Sequence, residues 1–195
     1  VRHNRENDVL HRTFETPDGR MKMVERFDQG SQAWHPVEFP IKSVSDLKLM
    51  TRIYDDVTVD LDQEALKAAA LRQEEVGQKG LTATAIGKSP LMQLVELYAG
   101  VEGAHYLLAD HQAEVEALFD AMHRVIKARV EVLSEHSPTD VLYMIENTST
   151  TLISPVQFSR YCRRHLQDYA QICSDAARDL VLHMCGHLKV LLPEL

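Results

Sequence analysis

Three short apolar runs in the second half of the chain constrain its fold most: LTATAIG at 81–87, DVLYMIEN at 140–147 and DLVLHMCG at 179–186. Each has the length and residue types of a buried strand, and helical apolar spacing fills the intervals between them. SPLMQLVELYAG opens with Ser89 as cap and Pro90 at the first helical position, and stops at Gly100. A long helix follows over about 112–133, with Val115, Leu118, Phe119, Met122, Val125, Ile126 and Val130 on one face. SPVQFSRYCRRHLQDYAQICSDAA is a further Ser-Pro-capped helix. Strands joined through helices rather than tight turns pair in parallel, so this half predicts a parallel sheet covered by helices. In that architecture the chemistry lies at the C-terminal ends of the strands. Glu146, Asn147 and the HMCGH run are therefore expected on one rim.

The first third reads differently. VLHRTFETPDGRMKMVERF has two alternating segments around Pro17-Asp18-Gly19, which predicts a β-hairpin, whereas AWHPVEFPIKS holds two prolines and has no period. Helices are expected over SVSDLKLMTRIYDD, capped by Ser45, and over DQEALKAAALRQEEVGQKG, ended at Gly80. No internal repeat, low-complexity segment or Gly/Ser linker interrupts this order. A single domain over 1–195 is expected, with a hairpin and irregular region over 1–44 and helices and parallel strands over 45–195.

Charge and cysteine usage narrow the function classes. A net charge of -8, with no basic run beyond Arg163 to His165, argues against a protein that tracks nucleic-acid phosphates. No apolar run approaches the roughly 20 residues that cross a bilayer, and no secretory pattern opens the sequence, so no membrane partner is expected. Cys162, Cys173 and Cys185 are an odd, scattered set rather than a disulfide framework, which makes a cytoplasmic location the expectation. Cys162 and Cys173, on one predicted helix, read as buried packing, and Trp34 as packing or the wall of a pocket. Nucleophile-elbow (G-x-S-x-G), dinucleotide (G-x-G-x-x-G) and P-loop patterns are missing from the sequence.

The residues that could carry chemistry gather at the last strand. Residues two apart in a strand point to one side, so His183 and Cys185 aim together, with Val181 behind them. Imidazole nitrogen and thiolate sulfur favour zinc over magnesium or calcium, although two ligands alone do not hold it. The alternative is a hydrogen-bonded histidine beside a small buried hydrophobe. His187 reads as a third ligand, a group behind the ligands, or the first residue of a following helix. Glu146 reads as a metal ligand, an acid or base, or a substrate contact, or else as a hydrogen-bond partner of the NTSTTLIS loop. A functional role predicts that Glu146→Gln acts on rate more than on folding.

The order of several motifs resembles the uroporphyrinogen decarboxylase superfamily, and within it the zinc-dependent corrinoid methyltransferases of the methylcobamide:coenzyme M type. The resembling runs are TPDGRMK at 16–22, PIKSVSDLK at 40–48, YAGVEGAHYLLADHQAEVEALFDAM at 98–122, ENTSTTLISPVQFSRYCRRHL at 146–166 and LHMCGH at 182–187. The resemblance implies an α/β fold, a portion of a TIM (β/α)8 barrel with an N-terminal β-hairpin insertion. Three clear barrel strands are present where a closed barrel needs eight, so the chain is expected to be an interior part of a longer barrel or to form a homo-oligomer. It further implies Zn2+ held by His183 and Cys185, a third ligand beyond Leu195, and Glu146 as an additional or labile ligand. A corrinoid (cobalamin) on a partner protein would donate the methyl group, and a small thiol would accept it. The resemblance leaves two alternatives: a decarboxylase-like lyase acting on a tetrapyrrole, and a noncatalytic binding or assembly module.

Overall fold

A computed structural model describes residues 1–194. The chain divides into two compact units, one made of Val1–Asp56 and Gln93–Ala121, the other of Val57–Met92 and the residues from Met122 onward.

The first unit is built on an antiparallel meander, β1 (Arg2–Glu6), β2 (Val9–Thr16), β3 (Gly19–Asp28) and β4 (Ala33–Glu38), paired in that order. The predicted hairpin is β2–β3, with Phe14 opposite Met21. Two further strands lie where the sequence has no period. β1 is exposed along its whole length, so no apolar alternation marks it. β4 is an edge strand, where Pro36 is tolerated because an edge N–H need not enter the ladder. Phe14, Met21 and Met23 bury one face of the sheet, and Leu47 and Met50 of helix α1 (Val44–Asp55) are also buried. Ser43 caps α1 in place of Ser45, its hydroxyl accepting from the Asp46 amide. Trp34 is half-buried, stacked at a tilt on Phe27 at 5.4 Å with the Arg5 guanidinium 5.0 Å from its ring centre.

Gly100 does not end a helix, as its sequence context suggests, but starts α4 (Gly100–Asp110). Its φ is +73°, and a Cβ there would lie 2.7 Å from the Phe39 ring, so glycine permits both the turn and the close approach.

The second unit holds the parallel sheet. Its elements are α2 (Gln63–Val76), β5 (Ala83–Gly87), α3 (Pro90–Gln93, which ends at the boundary), the later turns of α5 (Gln112–His136), β6 (Val141–Ile145), α6 (Pro155–Tyr161), α7 (Arg163–Asp175) and β7 (Asp179–His183). The strands are parallel in the order β5-β6-β7, and β6 pairs with β7 from Val141↔Asp179 through Ile145↔His183. Leu142 and Met144 are buried with Met122, Ile126 and Val130 of α5, Phe158 of α6, and Leu166 and Tyr169 of α7. The opposite face, which would line a barrel, leaves Ile145 39% and Val181 42% exposed. This is a portion of a (β/α)8 wall, helices on one side and the lumen side open.

The two ends of the sheet differ in kind. At the N-terminal ends of the strands, Asp140 accepts from the Thr82 amide at 2.6 Å and the Gln73 carboxamide at 2.8 Å. Arg178 there donates to the carbonyls of Ser134, Ser137 and Thr139. These bonds lock the loops that close the unit, whereas the opposite end carries the exposed side chains described next.

Candidate functional site

Strand parity decides what reaches the C-terminal rim. On β6, Leu142 and Met144 face the helices, and Glu146 continues that series: its side chain is fully buried. Its two oxygens accept four hydrogen bonds, from the Ser89 amide (2.8 Å), the Ser89 hydroxyl (2.6 Å), the Thr148 hydroxyl (3.1 Å) and the Cys162 thiol (3.2 Å). Burial raises its pKa, and the donated bonds oppose that rise only in part. The expectation that Glu146 faces the rim beside His183 and Cys185 is thus corrected in its direction. It is at the strand end, but its carboxylate ties the loops after β5 and β6 to the start of α7.

Cys162 can serve in that network because the helix breaks there. The predicted single helix is two, α6 and α7, with Cys162 between them at φ −122°. Burial beside Glu146 pushes its thiol well above the ordinary cysteine range, so it stays an S–H donor. Cys173 is buried elsewhere, taking a 3.7 Å contact from the Ser134 hydroxyl.

The odd-numbered series of β6 faces the open side, and its register with β7 carries beyond the last paired residues. Tyr143 lies opposite Val181 and Ile145 opposite His183, so the next pair on this face is Asn147 and Cys185. The Cys185 thiol donates to the Asn147 side-chain oxygen at 3.2 Å. His183 is exposed at the end of β7, its ring edge-on to Tyr143 at 6.3 Å, and Cys185 is exposed just beyond. The sequence puts both Glu146 and Asn147 on the rim and suggests chemistry only for Glu146, whereas the alternation that continues from Leu142 and Met144 sends the two side chains to opposite faces.

The loops that carry these side chains are stitched together. The Glu146 amide donates to the His183 carbonyl at 2.9 Å, and the Thr150 amide to the His187 carbonyl at 3.1 Å. The His187 amide donates to the Ser149 hydroxyl at 3.1 Å, so His187 begins no helix and joins the rim through its backbone. Gly186 makes this possible: its φ is +101°, and a Cβ would lie 2.5 Å from the Ser149 hydroxyl. Gly186→Ala is expected to cost about 2 kcal/mol, lowering Tm by roughly 4–8 °C. Thermal melting checks this, and an unchanged Tm would show that the loop has another conformation of equal stability.

His183 and Cys185 together offer one imidazole and one thiol open to solvent, the donor chemistry of half a zinc set. Among the described residues no group of three or more His, Cys, Asp or Glu side chains gathers around a common point.

Beyond the geometry, a family model described as Uroporphyrinogen decarboxylase (URO-D) matches residues 27–195. The chain belongs to the URO-D family. Among solved structures, a methyltransferase from Methanosarcina mazei is similar over 66% of this chain at 20% identity, with a TM-score of 0.51. The chain spans 37% of that protein's length. No curated protein matches the chain. URO-D membership and the shared fold agree with the parallel sheet, and His183, Cys185 and Asn147 lie at or just beyond the C-terminal ends of its strands β6 and β7. None of the helices among the described residues is long and apolar enough to cross a membrane.

Proposed function

We propose that the chain is part of a methyltransferase of the URO-D family that moves a methyl group from a corrinoid protein to a small thiol, with zinc held partly by His183 and Cys185. The observation that carries this reading is the pair of exposed metal-type donors at the C-terminal end of β7, beside the open face of the sheet. Methyltransferase chemistry in a protein of similar fold supports it. When bound, the zinc would lower the pKa of the acceptor thiol so that it reacts as a thiolate near neutral pH.

The protein's own residues supply the setting. His183 and Cys185 fix the donors on one strand end, and the bonds between the Asn147–Thr150 and Gly186–His187 segments hold that end in place. Tyr143, Ile145 and Val181 give the face below a largely apolar lining, which suits a small carbon-bearing substrate. Glu146 acts from behind the rim, fixing the backbone from which Asn147 projects. A decarboxylase-like lyase acting on a tetrapyrrole is the second reading, favoured by the family description itself.

The test is zinc per chain, by elemental mass spectrometry on the intact protein purified without a metal-binding tag. Roughly one zinc per chain is expected, lost together with thiol methylation in Cys185→Ser. Full occupancy in that variant removes Cys185 from the ligand set. No zinc after growth in zinc-replete medium would favour the lyase, which then has to decarboxylate a tetrapyrrole in the same preparation.

A further inference from the structure

We propose that the cavity on the helix side of β5, between α2 and α5, is a binding site for a small amphiphilic carboxylate of about six to ten carbons, whose head group pairs with Arg129 and whose chain lies along the apolar walls. This site is separate from the thiol-methylation reading above and does not depend on it.

Strand parity sets where the cavity lies. Thr84 pairs with Leu142, which faces the helices, so Thr84 floors the cavity on the side of the sheet away from His183 and Cys185. The walls are Val59 and Leu61 of the segment leading into α2, Leu66 and Ala69 of α2, and Val132 and Leu133 of α5. No residue of α2 is buried, so Leu66 and Ala69 stay half-exposed along a face that a helix of this kind ordinarily covers. A hydrocarbon chain laid there would take that surface out of water. The volume, about 350 Å³, is at the small end of the range that ligand sites occupy.

Arg129 supplies the head-group contact. It is half-buried on α5 and held against β5: its Nη1 donates to the Ile86 carbonyl at 3.3 Å, and a Cβ on Gly87, whose φ is +106°, would lie 3.3 Å from that nitrogen. Among the described residues no carboxylate forms an ion pair with it, so the other N–H groups of the guanidinium lack a protein acceptor while bordering apolar walls. A half-buried cation in that position is matched by an anion that brings its own hydrocarbon. Asp60 and Asp62 also border the cavity, both exposed, with oxygens accepting from the Leu61, Glu64 and Ala65 amides. Each further negative charge on a ligand is repelled by these two carboxylates, which favours a singly charged head group over a doubly charged one.

The probe is octanoate, titrated calorimetrically into the intact protein below its micellar concentration, with 1-octanol and octyl phosphate as comparison ligands. Saturable binding of about one octanoate per chain is expected, about tenfold or more tighter than 1-octanol, which has the same chain without the charge. Octyl phosphate is expected to bind more weakly than octanoate. Arg129→Met keeps the apolar stem and is expected to weaken octanoate about tenfold to a hundredfold while leaving 1-octanol within about twofold. Ala69→Phe, on a helix with no buried residue to disturb, fills the cavity and is expected to abolish binding of both. Thermal melting establishes that each variant is folded, and the comparison of octanoate with 1-octanol in the wild type decides the proposal even where a variant is not. Absence of saturable octanoate binding, equal affinity for octanoate and 1-octanol, or an affinity unchanged in folded Arg129→Met overturns the proposal. Tighter binding of octyl phosphate overturns the carboxylate assignment.

Discussion

Glu146→Ala is expected to destabilise the protein by about 3–5 kcal/mol, a fall in Tm on the order of 10 °C, because four donors lose their acceptor inside the core. The Ser89 amide and hydroxyl, the Thr148 hydroxyl and the Cys162 thiol are all shielded from water that could replace the carboxylate. Glu146→Gln keeps the shape but turns one acceptor into a donor. One oxygen serves the Ser89 amide and the other the three remaining donors, so either placement of the new amide sets N–H against a donor. A loss of about 1–3 kcal/mol is expected for it. This burial reverses the expectation from sequence that the glutamine variant acts on rate more than on folding. Thermal and denaturant unfolding of both variants decide the matter, and a Gln variant with native stability and lost turnover would return Glu146 to a chemical role.

Stability is expected to fall as the pH drops from about 6.5 to 4, by up to about 3 kcal/mol from His165 alone. His165 is stacked on His123 with ring centres 4.2 Å apart, and burial together with the neighbouring imidazole lowers its pKa to about 4. His123 is also lowered, mainly by burial, although Asp168 accepts from it at 3.0 Å and pulls the other way. Its other nitrogen lies 2.8 Å from the Tyr169 hydroxyl, and Lys127 and Arg164 add like charge nearby. A histidine whose folded pKa lies below its unfolded value leaves the unfolded state binding more protons in between. Its contribution is therefore complete above pH 6.5 and is lost as pH falls toward 4.

Glu146 has the opposite sign. Its raised pKa means that the folded state binds the extra proton, so its contribution favours folding at low pH and disappears as pH rises through its folded value. Melting curves between pH 7.5 and 4 test the histidine effect against His165→Phe, which keeps a ring on His123 and removes the titrating nitrogen. A shallower loss in the variant is expected, and identical slopes would assign the acid sensitivity to other groups.

Much of this architecture is legible without coordinates. The three apolar runs, the Ser-Pro starts of α3 and α6, and the amphipathic length of α5 determine a parallel sheet under helices, because period and capping are properties of local sequence. The β2–β3 hairpin is legible for the same reason, and so is the placing of His183 and Cys185 at a strand end. Strands β1 and β4 are not, since exposed and edge strands bury too little to carry an apolar signature.

Which side chains meet was decided only in three dimensions. Glu146 and Asn147 are adjacent and both polar, yet one is sealed into the helix side and the other reaches Cys185. Strand alternation sends neighbours to opposite faces, and the register of β6 against β7 selects the partner across the rim. Likewise Cys162 and Cys173 look equivalent on a helical wheel, and only the break between α6 and α7 carries Cys162 to the buried carboxylate. Sequence determined the scaffold and the donor types, because those depend on spacing along the chain. Tertiary structure decided the pairings, because those depend on register and on where a helix breaks.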